Sequence, residues 1–328
     1  MKGNSFWDNL PVLVTGITGF VGSTLAKRLV EVGAYVIGFA PLPASDSYFF
    51  RLGLDKKTTL IEGSVEDISR LERILKEHST RVVFHLAAQA IVGEAYRLPL
   101  ATFATNIGGT WNLLEAARAN SGIQAIVVTS TDKVYGASTP LPFREDLPLN
   151  PRYPYEVSMA CADLLARSYF CTYGLPVAVA RFANLYGPGD LNFSRIIPDT
   201  IRRVLEGMAP VIRSGGTPAR DYLYIEDAVN LYLLLAERID QTRGEVFNAG
   251  NGQPISVLEL VKTILQLAGR PDLKPEVLGV GSPAGEIDRT WLDATKARRL
   301  LGWRPRVPLE EGLRRTLAWY QESLSGGE

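Results

Sequence analysis

The stretch Val12–Gly22, Val-Leu-Val-Thr-Gly-Ile-Thr-Gly-Phe-Val-Gly, constrains this chain more than any other. Val12–Val14 is an apolar triplet suited to a buried strand. Gly16, Gly19 and Gly22 then punctuate the entry to an amphipathic helix over Phe20–Val32, which stops at Gly33. A second apolar run, Ala34–Phe39, follows at once. Strand, glycine turn, helix and strand in that order predict a unit that holds a dinucleotide. The early glycines permit a tight turn and let the backbone approach a pyrophosphate, and the helix N-terminus offers unpaired N–H groups to that anion. Gly22, inside the helix, lets it pack close to the strand. Gly16, Thr18, Gly19, Phe20, Val21 and Gly22 are therefore the first candidate cofactor contacts.

The same alternation continues. Thr59–Glu62, Arg81–Leu86 and Ala125–Ser130 read as further strands, separated by helices over Ile68–His78 and Ala101–Asn120. This predicts an α/β fold, a doubly wound parallel (Rossmann) sheet with a smaller, interleaved α/β lobe. The expected division is 1–182 plus 222–251 for the dinucleotide domain and 183–221 plus 252–328 for the lobe. In the lobe, Ser194–Gly207 and Val257–Ala268 read as helices, the second opened by a Ser256–Glu259 capping box.

The end of the second strand is where cofactor choice is written, by an acid for ribose hydroxyls or an arginine for a 2′-phosphate. Here it reads Ala40-Pro41-Leu42-Pro43, which is neither, so NAD is expected, with Arg51 the residue that could intervene. Ser64 and Val65 stand where an adenine would lie, and Ser64 serves equally as a helix cap. Leu86, Ala87 and Ala88 bring small and apolar groups to the carboxyl end of the sheet, where such folds bind ligands. The following helix carries Asn106 and the pair Gly108-Gly109, whose helical cost points to close packing on a neighbour.

Composition removes other classes. Thirty-five basic residues balance 35 acidic ones, so net charge recruits neither nucleic acid nor an anionic membrane. Two histidines leave little for a metal centre or a Ser–His–Asp triad, and two cysteines fit a reducing cytoplasm. The polar lead Met1–Leu10 and the short apolar runs give no signal or membrane-spanning segment.

Chemistry is expected after the fifth strand, at Thr131-Asp132-Lys133-Val134-Tyr135-Gly136, although a solvated turn with an internal ion pair explains the same residues. A proline-rich approach, Pro148–Pro154, leads into a helix over Tyr155–Tyr173 on which Tyr155 and Met159 share a face.

With these residues assembled, the chain resembles the extended short-chain dehydrogenase/reductases that act on nucleotide sugars. The likeness spans nearly the whole sequence. It rests on the glycine turn, His85-Leu86-Ala87-Ala88, Thr131 before Val134-Tyr135-Gly136, Pro154-Tyr155, Asn184-Leu185-Tyr186-Gly187-Pro188, Arg220-Asp221-Tyr222 and Leu301-Gly302-Trp303. Within the family it is similar to the CDP-glucose 4,6-dehydratase branch in Asp132-Lys133, in Gln89 and in the run Gly187–Asp199, which contains Arg195. Arg220–Asp227 instead follows the general epimerase/dehydratase form, which leaves the nucleotide base open.

The resemblance implies that Tyr155 takes a proton from a sugar hydroxyl, Thr131 hydrogen-bonds the same oxygen, Asp132 is an acid and Lys133 a base. It implies Gln89, Asn184, Arg195, Arg220 and Tyr222 as nucleotide-sugar contacts, though Arg220 and Asp221 could be only a structural pair. It also implies a homodimer through a four-helix bundle of the Ala101–Asn120 and Tyr155–Tyr173 helices, whose apolar faces could equally be buried on the sheet. The family's lysine, four residues after the tyrosine, is absent, and Met159 stands there. Four readings follow: a 4,6-dehydratase, a 4-epimerase or other C4-oxidising relative, a catalytically silent binding protein, or an active enzyme into which Met159 was introduced.

Overall fold

The computed structural model describes residues 5–42, 44–137, 140–279 and 288–325, so Pro43 and the first residues of the polar lead lie outside the described residues. Seven parallel strands form the main sheet. They are β1 (Pro11–Thr15), β2 (Tyr35–Ala40), β3 (Thr59–Glu62), β4 (Val82–His85), β5 (Ala125–Thr131), β6 (Val177–Phe182) and an edge strand Val246–Ala249. From that edge the order runs to β6, β5, β4, β1, β2 and β3. The order reverses between β1 and β4, which opens a crevice at their carboxyl ends. Side chains alternate across the sheet: Val12 and Val14 enter one core and Leu13 the other. Both faces are covered, so the strands carry no polar side until they reach the crevice.

The smaller lobe grows from crossings at that same end. Asn184–Tyr186 pairs in parallel with Tyr222–Tyr224. Ala219–Arg220 lies between Ile255–Ser256 and Arg289–Thr290 in a second small sheet. A separate apolar core holds the lobe together, with Tyr186, Ile197, Ile201, Tyr224, Leu260 and Leu313 at its centre. The Val257–Leu267 helix is opened by the expected capping box, Ser256 Oγ accepting from Glu259 N at 3.2 Å.

Several local expectations are corrected. The helix expected over Ala101–Asn120 is three pieces: Pro99–Phe103, a π-helical turn Ala104–Gly108, and Gly109–Arg118. The widened turn lets Asn106 face inward to bond the Gln89 backbone, which a regular helix pattern does not announce. Gly109 has the packing reason expected of it, since a Cβ there would strike Val65, whereas a Cβ at Gly108 would make only ordinary contact, 3.8 Å from the Trp111 ring. The cap of the Ile68–Glu77 helix is Asp67, accepting from Arg70 N at 3.0 Å, while Ser64 accepts from Glu66 N. The helix expected over Ser194–Gly207 runs Ile196–Leu205. Gly22 packs on the glycine turn itself: an added Cβ would collide with the Gly16 carbonyl oxygen and stand 2.8 Å from Ile17 Cα.

The Gly22 contact makes a paired prediction. Gly22→Ala should lower stability by about 1–3 kcal/mol through overpacking against backbone that cannot yield. Gly93→Ala, on the Val92–Arg97 helix with nothing within 4 Å, should raise it by up to about 1 kcal/mol. Urea midpoints of the two variants should therefore move in opposite directions.

Candidate active site

The glycine turn forms a cradle at the crevice. Gly16 adopts φ +71°, and a Cβ there would stand 2.9 Å from Ala87 N, so only glycine fits. Gly19 is the N-cap of the Phe20–Glu31 helix and makes no side-chain cap, leaving the first N–H groups of that helix open to an anion. The side chains of Phe20 and Val21 pack into the core of the smaller lobe, so their contribution to a ligand is backbone. Thr18 is half-buried at the rim of the turn. A dinucleotide pyrophosphate fits this cradle.

Beneath it runs a buried hydrogen-bond chain that sequence inspection missed. Thr15 Oγ1 accepts from Leu86 N and Ala87 N, both at 3.2 Å, and meets His85 Nδ1 at 2.8 Å. His85 Nε2 lies 3.1 Å from Thr110 Oγ1, which donates to the Asn106 carbonyl at 2.6 Å. Thr110 has one proton and gives it to Asn106, so His85 Nε2 must donate and Nδ1 accept from Thr15. Asn106 continues the chain, accepting from Gln89 N at 2.7 Å and donating to Ser158 Oγ at 2.9 Å. Ser158 Oγ closes it on the Tyr155 carbonyl at 2.8 Å. Gln89 uses its own side chain to accept from Ile91 N.

Tyr155 sits in the first turn of the Pro154–Tyr173 helix, which Glu156 opens by accepting from Arg152 N at 2.9 Å. Met159 follows one turn later. It is buried, lines the same cleft as Leu86, Ala87, Ala88 and Asn106, and has its sulfur 3.8 Å from Asn106 Nδ2. Across from Tyr155, β5 ends at Thr131 and a short turn, Asp132–Tyr135, begins. Thr131 Oγ1 donates to Asp132 Oδ1 at 3.1 Å and accepts from Lys133 N at 3.3 Å. The other Asp132 oxygen, Oδ2, is buried with no hydrogen-bond partner among the described residues. Burial pushes the Tyr155 hydroxyl above its ordinary range; Arg195 pulls it down, the Asp132 charge pushes it up, and a hydrogen bond with Thr131 pulls it down. Lys133 is half-buried on the same turn.

The structure thus brings Thr131, Asp132, Tyr155 and Arg195 into one electrostatic group, and Met159 and Asn106 into the adjoining cleft. Arg195 is held by Asp190 at 3.0 Å. Asn184, Arg220 and Tyr222 lie in the small sheets. The Asn184 backbone N–H donates to the Asp221 carbonyl at 3.1 Å and its Nδ2 does so at 3.3 Å, while Arg220 Nη1 donates to the Ala219 carbonyl. Asp221, passed over in the sequence except as a partner for Arg220, accepts from Asn251 N at 3.1 Å and Gly252 N at 3.0 Å. Burial raises its carboxyl to about 6, with a further push from the Asp132 charge. Ser64 is exposed, and Val65 is buried against Gly109. Among the described residues, no three His, Cys, Asp or Glu side chains converge as a metal would require.

A parallel sheet reversing between β1 and β4, with a glycine cradle at the reversal and a tyrosine–threonine pair beside it, defines a Rossmann-type site of the short-chain dehydrogenase/reductase class. The GDP-mannose 4,6-dehydratase family model matches residues 13–316, and the chain belongs to that family of nucleotide-sugar dehydratases and epimerases. It is 33% identical over 325 residues to a UDP-glucuronate 4-epimerase of Thermodesulfobacterium geofontis, covering 95% of this chain and 96% of the relative. It is 30% identical over 342 aligned residues to the CDP-glucose 4,6-dehydratase of Salmonella typhimurium, covering 99% and 94%. The crystal structure of dTDP-glucose 4,6-dehydratase from Bacillus anthracis in complex with NAD superposes with a TM-score of 0.84 at 28% identity, covering 95% and 97% of the two chains.

His85 supplies a pH prediction. Burial lowers its pKa from 6.5 to about 4, so the folded protein keeps it neutral where an unfolded chain is protonated. Stability is complete above pH 6.5 and falls as the pH drops toward about 4, by about 1.4 kcal/mol per unit. Denaturation midpoints across that range should flatten in His85→Gln, and an unchanged slope would place its source elsewhere.

Proposed function

We propose that the chain is an NAD-dependent nucleotide-sugar 4,6-dehydratase, converting a nucleoside-diphosphate hexose to its 4-keto-6-deoxy form. The observation that carries this reading is Asp132, a buried carboxyl with an unpartnered oxygen on the turn beside Tyr155. Oxidation at C4 alone needs no second acid, whereas expelling the C6 hydroxyl does. Cofactor fit comes from the cradle and from the end of β2. Arg51, the residue that could favour a 2′-phosphate, instead donates to the Asp46 carbonyl at 2.9 Å and lies over the Trp319 ring. Bound NAD would supply a hydride acceptor and then a hydride donor. Gly16–Gly22 would hold its pyrophosphate, with Ser64 and Val65 toward the adenine and Leu86–Ala88 and Asn106 toward the nicotinamide half.

Tyr155 would take the C4 hydroxyl proton while Thr131 orients that oxygen. Lys133 would remove the C5 proton, made acidic by the neighbouring ketone, and Asp132 would protonate the departing C6 hydroxyl. Gln89, Asn184, Arg195, Arg220 and Tyr222 would line the path of the sugar and its diphosphate, a guanidinium suiting phosphate bidentately. The smaller lobe, 183–221 plus 252–328, would supply most of that path. The full-length likeness to a 4-epimerase supports the alternative, C4 oxidation without water loss. Incubation with CDP-glucose, dTDP-glucose, GDP-mannose and UDP-glucuronate separates them by mass: loss of water supports the dehydratase, and an isomer of unchanged mass supports the epimerase.

Met159 makes a quantitative prediction. A cation about 4–6 Å from a phenol lowers its pKa by roughly 1–3 units, and methionine supplies none. Met159→Lys should therefore speed C4 oxidation about 10- to 1,000-fold in a single turnover, with little change in cofactor affinity. No gain with substrate bound would favour chemistry that never used the lysine.

The chain would act as a homodimer. Leu100 (82% exposed), Tyr96 (72%), Trp111 (51%) and Leu164 (50%) stand out from the helical segments between Val92 and Arg118 and from the Pro154–Tyr173 helix. Large apolar side chains gathered on neighbouring helices mark an association surface. Leu100→Glu with Trp111→Glu should convert a dimer to a monomer in light scattering. Cys161 and Cys171 are both free thiols, which suits a reducing cytoplasm.

A further inference from the structure

Building on the nucleotide-sugar reading, we infer that Tyr48 is a positioning residue that joins the segment after β2, on the cofactor side, to the loop that aims Arg195 at the sugar nucleotide. The segment leaves the end of β2 at Ala40 and forms the short helix Tyr48–Arg51. Phe49 is fully buried in a core of the main sheet and anchors the segment there. Its neighbour Tyr48 turns to the smaller lobe. The Tyr48 ring lies across the open face of Gly189, where an added Cβ would collide with ring carbons Cδ1, Cε1 and Cγ. Gly189 also holds φ +90°, so the backbone and the contact both require glycine.

From Gly189 the contacts close into a ring. Asp190, the next residue, is buried and accepts from Arg195 Nη1 at 3.0 Å. Its other oxygen accepts from Asn192 N at 3.2 Å, so both carboxylate oxygens hold the loop to itself. The Asp190 carbonyl accepts from the Tyr320 hydroxyl. Trp319, beside Tyr320 on the Leu309–Ser325 helix, meets Tyr48 edge to face with 5.5 Å between ring centroids. Arg51 lies over the same indole. Three segments far apart in sequence thus hold one another, and Arg195 is tied to the middle one. Burial, with the Glu226 charge, pushes the Tyr48 hydroxyl up to about 12, so it stays neutral and offers Arg195 no counter-charge. What Tyr48 supplies is a flat surface on which the Gly189 turn rests.

The consequence is coupling between the two ligands. In a doubly wound sheet the adenosine ribose binds at the end of β2. A dinucleotide there narrows the motions of the segment that carries Tyr48 and, through Gly189 and Asp190, those of Arg195. The diphosphate of a nucleotide sugar, held by that guanidinium, acts back along the same contacts. Each ligand then meets a site that the other has already ordered, and each tightens the other by the same factor. Without the Tyr48 ring both sites remain, and the link between them is lost.

The test titrates NAD into the full chain with and without saturating CDP-glucose, dTDP-glucose, GDP-mannose or UDP-glucuronate. A Tyr155→Phe background stops turnover during the titration. The nucleotide sugar that binds should tighten NAD at least about fivefold. Tyr48→Ala should reduce that factor to less than about twofold, while NAD affinity measured alone stays within about threefold. With Tyr155 restored, Tyr48→Ala should raise KM for the sugar nucleotide about tenfold. Tyr48→Phe keeps the ring and should keep the full coupling to within about twofold. Trp319→Leu leaves Tyr48 in place and removes its edge contact, so it should lower the coupling part-way, and it tests the same ring should Tyr48→Ala fail to fold. A merely structural role would weaken NAD binding alone and leave the factor unchanged. Undiminished coupling in Tyr48→Ala or, where that variant does not fold, in Trp319→Leu overturns the positioning role, as does a bound sugar that leaves NAD affinity unchanged; 4-keto-6-deoxy product from the unsubstituted chain then keeps the dehydratase reading in place. Failure of all four nucleotide sugars to bind beside NAD overturns both.

Discussion

The buried ion pair between Arg181 and Asp163 fixes where the groups at the carboxyl end of the sheet can stand. Arg181, on β6, donates Nε to Asp163 Oδ2 at 2.8 Å and Nη2 to Oδ1 at 3.0 Å, and both side chains are within 1% of complete burial. A third donor, Nη1, reaches the Tyr135 hydroxyl at 2.7 Å, and Tyr135 donates onward to Asn248 at 2.8 Å. One guanidinium thus ties the helix that carries Tyr155, the turn that carries Asp132 and the edge strand into a single frame. A bidentate, fully satisfied pair of this kind has little freedom to slide. Loss of either partner alone would strand a buried charge, at about 3–5 kcal/mol.

Much of this was legible in the chain, and the reasons for the rest are physical. The glycine turn, the strands and the capping box at Ser256 are written locally, in residues that decide their own backbone. Thr131, Asp132 and Tyr155 were picked out by position and resemblance, and the structure sets them at a strand end, on the turn after it and in the first turn of a helix. The π-turn at Ala104–Gly108 was not, because its cause is a set of bonds from Asn106 to Gln89 and Ser158, which lie 17 and 52 residues away. His85 was hidden for the same reason: its partners are Thr15 and Thr110, and nothing adjacent marks a neutral, doubly bonded imidazole. Gly22 was assigned the right cause, close packing, and the wrong surface.

Asp221 and Asp132 show how burial separates scaffold from chemistry. Asp221 has each oxygen occupied by a backbone N–H from the loop at Asn251–Gly252, and its carbonyl holds Asn184. It is a junction between crossing segments, and its bonds offset the cost of burying it. Asp132 is as deeply buried, and one of its oxygens has no hydrogen-bond partner among the described residues. An unsatisfied buried oxygen costs on the order of 1–3 kcal/mol. The asymmetry is what the proposed function draws on when it gives Asp132 a chemical role and Asp221 a supporting one.

Met159 changes what the rest of the site must do. Its side chain packs with Val134, Tyr135 and Ala160 in an apolar cluster, so it keeps the volume of a long side chain and removes the charge. The positive influence that remains on Tyr155 is Arg195, and that guanidinium is already engaged by Asp190. Burial therefore dominates, and the phenol rests protonated. A protonated phenol serves as a base only if its proton leaves as the sugar's arrives. Under the proposed function, the charge absent at Met159 therefore leaves this phenol harder to ionise than one beside a lysine would be.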